Sequence, residues 1–109
     1  PENLVDSFTV ECTNLAKIKD QLGGNVDLIK FDIEGRWYEI CNEILDLNLP
    51  VKQVVGEFEM YMGDTDQEFE KLESIIKRFE QSGYKTYCNR LLPKQKREAP
   101  CVELTFIRT

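Results

Sequence analysis

The stretch from Thr65 to Gly83 constrains this chain more than any other. Thr65 and Glu68 make the S/T-x-x-E/Q pattern of a capping box, and Phe69, Leu72, Ile75, Ile76 and Phe79 then recur at intervals of three and four residues. Glu73 and Lys77 are placed for an i,i+4 ion pair, and Gly83 is placed to end the helix. The spacing predicts a helix from about Asp66 to Ser82. An apolar stripe needs a surface to cover, and the segments on either side supply one. Residues 53–62 set Val54, Gly56, Phe58, Met60 and Met62 against Val55, Glu57, Glu59 and Tyr61, the period-2 pattern of a strand with one buried and one wet face. After the helix, "YKTYCNRLL" and "CVELTFI" alternate as strands across the polar loop "PKQKREAP".

The first half of the chain is less explicit. Leu15, Ile18 and Leu22 continue a three-and-four spacing that Gly23 and Gly24 interrupt, so a helix is expected over residues 13–22. "VDLIKFDI" and "RWYEICNEI" then read as two strands joined at Glu34 and Gly35, or as one strand bent at Gly35. Residues 45–52, with Pro50 unfit for a central strand, read as a linker. Neighbouring strands on short links favour antiparallel pairing, which gives an α+β fold: a curved antiparallel sheet of about five strands with two helices packed against it.

At 109 residues one domain, 1–109, is expected, since two cores would each fall near the size where burial stops offsetting chain entropy. No apolar run approaches the roughly 20 residues of a membrane span. The formal charge of -6 would repel a phosphate backbone, so nucleic acid is not an expected partner. Cys12, Cys41, Cys88 and Cys101 are even in number and form no C-x-x-C pair, and the chain has no histidine, which removes the spacing and the commonest ligand of a zinc site. The favoured reading is a secreted protein in which these cysteines form disulfides, in any of three pairings. The start at Pro1 suits a processed mature chain.

Catalytic chemistry finds little to work with. There is no histidine, no glycine-rich phosphate loop and no serine in a nucleophile-elbow context. Glu57 and Glu59 share one strand face, but they read as its wet side, and nothing matches the D-x-[DN]-x-[DN]-G calcium loop. The chain is therefore read as a non-enzyme with no cofactor and no metal. Lys94-Gln95-Lys96-Arg97 has the form of a dibasic processing site but reads more simply as a solvated loop tip.

Gly35-Arg36-Trp37-Tyr38-Glu39-Ile40, with Phe31-Asp32 before it, resembles the G-x-W first-strand signature of lipocalins, the small secreted barrels that hold lipids, pigments and odorants. The resemblance implies a partial or divergent lipocalin-like barrel, with Trp37 at its floor and Arg108 packed on it from a late strand. It further implies a small hydrophobic ligand, for which Trp37, Ile40, Phe58 and Met60 are the expected lining, with Gly35 and the four cysteines as structural residues. Gln53-Val54-Val55-Gly56 is similar to the inhibitory hairpin loop of cystatins, although the cystatin glycine falls one residue later. That likeness implies a rival function as a protein-binding module, such as a secreted protease inhibitor, an effector or a subunit of a larger assembly.

Overall fold

The computed structural model describes Ser7 and residues 9–24, 26–60, 64–92 and 100–109. Its elements run α1 (Leu15–Leu22), β1 (Val26–Phe31), a 3-10 turn (Glu34–Arg36), α2 (Trp37–Asp46), β2 (Val51–Glu59), α3 (Thr65–Gln81), β3 (Tyr84–Leu92) and β4 (Cys101–Arg108). The fold is α+β, as expected. The described sheet has four strands in the order β1-β2-β4-β3 and it is mixed: β1 runs parallel to β2, while β4 lies antiparallel between β2 and β3.

The difference from the expected antiparallel sheet comes from one segment. "RWYEICNEI" is not a strand; from Trp37 onward it is α2, and a helix in that place makes the link from β1 to β2 a crossover, which joins parallel strands. The stretch carries both periods. Alternation separates Trp37, Glu39 and Cys41 from Tyr38 and Ile40, but Trp37, Cys41 and Ile44 also fall at i, i+4 and i+7, and these three are the ones buried. Gly35 sits inside the 3-10 turn and forms neither hairpin nor bulge; the left-handed backbone falls on its neighbour Glu34, at φ 56°.

The long helix appears almost as read. Its cap is Asp64 rather than Thr65, with the Asp64 carboxylate accepting from the backbone N–H of Asp66 at 2.8 Å and of Gln67 at 3.3 Å. One face of α3 turns Leu72, Ile75 and Phe79 into the core, and Arg78 ties it to α2 through Asn42 and Asp46. Residues 53–59 form a strand as expected, and β2 starts two residues earlier, at Val51; Tyr61, Met62 and residues 93–99 lie outside the described residues. Gln53 to Gly56 lie in mid-strand, paired with β1 on one side and β4 on the other, so they are not the exposed loop that the cystatin likeness implies.

The core lies between the helices and one sheet face, and it is strung on aromatic rings. Phe58 of β2 meets Phe31 of β1 at 5.4 Å, Trp37 of α2 at 5.3 Å and Phe106 of β4 at 6.2 Å between centroids, all edge to face. Phe106 stacks on Phe79 of α3 at 4.1 Å, and Phe79 meets Tyr84 of β3 at 5.2 Å. Gly56 makes room for this line, because a Cβ at that position would stand 2.2 Å from the Phe31 ring.

Gly56→Ala is therefore expected to displace Phe31 and destabilise the protein by about 1–3 kcal/mol, as overpacking does. Leucine at position 31 relieves the clash, so in a double-mutant cycle followed by urea denaturation Gly56→Ala should cost clearly less in the Phe31→Leu background. Additive losses would show that the ring and the glycine do not oppose one another.

Candidate functional site

The residues expected to line a ligand site are instead part of the packed interior. Trp37, Phe58 and Met60 are buried, and Ile40 is half-buried against the same cluster. Trp37 opens α2, and its indole N–H donates to the Glu59 carbonyl at 2.9 Å, fixing the start of the helix to the end of β2. Arg108 does not pack on Trp37; its guanidinium lies over the Tyr84 ring, 5.9 Å from the centroid.

Two other places hold surface chemistry. The first is an apolar groove of about 300 Å³ between α1 and the edge strand β1. Leu15, Ile18 and Leu22 of α1 form one wall, Val26, Leu28 and Ile29 of β1 form the other, and Leu49 is also part of the lining. The charged side chains lining it are Lys19 and Lys30, and the Lys19 ammonium donates to the Leu47 carbonyl at 3.3 Å. α1 stands here because its ends are well defined: Asn14 accepts from the Lys17 N–H at 2.9 Å, and Gly23, at φ 70°, donates back to the Lys19 carbonyl at 3.1 Å. The sequence signal for this groove was the Leu15, Ile18, Leu22 stripe; its apolar face is not used up by the core, since no residue of α1 is fully buried.

The second place is carboxylate-rich. Asp32, just past β1, and Glu57 and Glu59 of β2 bring carboxylate oxygens within 4.8 Å of one another. Hard oxygen donors of this kind suit a divalent cation such as calcium. Hydrogen bonding to Asp32, then burial, then the negative charges of Asp32, Glu59 and Glu103 raise the Glu57 pKa above its ordinary 4.5. Arg90 offsets part of this charge from 3.7 Å to Glu57 and 3.8 Å to Glu103. Glu68, on the opposite side of the sheet in the buried stripe of α3, has a carboxylate oxygen with no hydrogen-bond partner among the described residues.

No disulfide joins any two of the four cysteines. Cys12 and Cys88 are exposed and Cys41 and Cys101 buried, with burial pushing the Cys41 thiol far up. Comparison with protein-family models, curated proteins and solved structures gives no match.

Two measurements follow from this geometry. Native protein treated with iodoacetamide should gain label at Cys12 and Cys88, and at Cys41 and Cys101 only after denaturation; fewer than four labels on unfolded, unreduced chain would reveal bridges. For the carboxylates, the folded protein binds more protons than the unfolded chain between pH 4.5 and the raised Glu57 value, so Glu57 makes stability fall as pH rises through that window. Asp32→Asn should move the Glu57 carboxyl titration, followed by NMR, back down. The variant should also gain Tm over the parent above that window and lose the gain below it. An unmoved titration would free Glu57 of Asp32.

Proposed function

We propose that this protein is a non-enzymatic binding protein that takes a small apolar molecule with an anionic head in the groove between α1 and β1. The observation that carries the reading is the lining itself: an aliphatic wall from two elements, with lysines as the only charged side chains in it among the described residues. A volume of about 300 Å³ lies at the lower end for small-molecule sites, which are mostly apolar with a few placed polar groups. The reading keeps the ligand class implied by the resemblance to lipocalins and moves the site from the buried Trp37 and Phe58 to the sheet edge. The absence of histidine from the sequence supports a role in binding rather than acid–base catalysis.

A second reading, a protein-binding module, draws support from the strand edges. β1 and β3 each pair on one side only among the described residues, and such edges accept an added strand from a partner. None of the described helices is long and apolar enough to cross a membrane, so neither reading invokes a membrane span.

The two readings separate in a titration with a fluorescent long-chain carboxylic acid and its methyl ester. The acid should bind, and Ile18→Glu, a change on the half-buried face of α1, should weaken it at least about tenfold by placing a charge in the apolar wall. Lys30→Gln should weaken the acid up to about fivefold and leave the ester unchanged, the scale of an exposed ion pair. No binding, or binding indifferent to Ile18→Glu, would defeat the groove as the site.

A further inference from the structure

The groove between α1 and β1 has two unlike ends. The chain passes directly from Leu22 to Val26 through residues 23–25, so the two walls are joined there. Leu49 lines the same end: the Val26 N–H donates to the Pro50 carbonyl at 3.4 Å, and the Lys19 ammonium donates to the Leu47 carbonyl, which holds α1 against the turn that carries Leu49. Lys30 lines the other end, four residues further along β1, where it is exposed and in no ion pair among the described residues. A strand advances about 13 Å from Val26 to Lys30, and a helix about 11 Å from Leu15 to Leu22, so the two walls match in length.

We infer that the groove measures its ligand: it takes a straight-chain carboxylic acid of about ten carbons, tail first, with the methyl end against Leu22, Val26 and Leu49 and the carboxylate on Lys30. The inference rests on the groove being the ligand site and goes beyond that reading by fixing chain length and direction. Carbon–carbon bonds of about 1.5 Å at about 111° advance an extended chain about 1.25 Å each, so about ten carbons fill the length of the walls. Volume agrees, since a methylene takes about the room of a water molecule, roughly 30 Å³, and the groove holds about 300 Å³. Carbons beyond the tenth stay in water and gain nothing. The opposite direction sets the carboxylate among Leu22, Val26 and Leu49, where Lys19 is already bonded to the Leu47 carbonyl, and leaves the apolar tail beside the Lys30 ammonium.

Calorimetric titration of the full chain with straight-chain acids from about six to about fourteen carbons tests the length: each added methylene should tighten binding about two- to fourfold up to about ten carbons and not beyond. Lys30→Gln should weaken every acid by a common factor and leave that break where it is. Leu22→Ala tests the direction at an exposed position and with a better helix former, so the fold is retained. It should weaken acids of about ten carbons about threefold and spare those of about six, whose tails stop short of it. Affinity that climbs unbroken through about fourteen carbons, or stops rising by about seven, would overturn the inference on length while leaving the groove as the site. Equal losses for short and long acids in Leu22→Ala would overturn the direction. Binding by no acid of any length would remove the groove reading, and this inference with it.

Discussion

The structure hangs on one line of rings. Trp37 and Phe31 meet Phe58, Phe58 meets Phe106, Phe106 stacks on Phe79, and Phe79 meets Tyr84. Each of the four strands gives this line a ring, as do α2 and α3. Aromatic pairs contribute about 0.5–1.5 kcal/mol each beyond the area they bury, so the line both stabilises the layers and fixes their register. Its polar ends are tied as well. The Tyr84 hydroxyl donates to the Val51 carbonyl at 2.6 Å and the Trp37 indole to the Glu59 carbonyl at 2.9 Å, so the first and last residues of β2 are each held by a ring. β2 is therefore the fixed member of the sheet, with β1 and β4 laid against it.

The parts of this arrangement that were legible in the sequence are those in which one period stands alone. The α3 stripe and the alternation in β2 have no competing pattern, and both elements form where they read. Residues 36–44 carry period 2 and period 3.6 together, and short-range pattern cannot choose between them. The choice is tertiary: as a helix the segment drives Trp37, Cys41 and Ile44 into one buried face above Phe58, whereas as a strand it would split Trp37 and Ile44 between two faces. The parallel pairing of β1 with β2 then follows from the helix and could not be read without it.

The candidate sites were legible in a different degree. Trp37 and Phe58 drew notice as a ligand lining because aromatic side chains serve both cores and pockets, and only burial tells the two apart. Glu57 and Glu59 lie on one strand face as read, but Glu59 is buried rather than wet, and nothing in sequence placed Asp32 beside them, since that contact depends on the parallel register of Phe31 with Gly56. The groove needs α1 and β1 to be set side by side, a long-range fact that a stripe of leucines does not contain.

On the proposed reading, holding and binding would fall to different parts of the chain. The rings that make β2 rigid leave no freedom for a ligand between them, while α1 is a helix of eight residues with none fully buried. Isolated helices of that length are marginal in water, so α1 depends on its two caps, on the bond from Lys19 to the Leu47 carbonyl and on what fills the space beneath it. Elements with few buried contacts open locally at low cost, and binding sites are drawn from that end of the stability range. A molecule in the groove would complete the apolar surroundings of Leu15, Ile18 and Leu22, so that ligand uptake and the ordering of α1 would become one equilibrium resting against the ring-packed sheet.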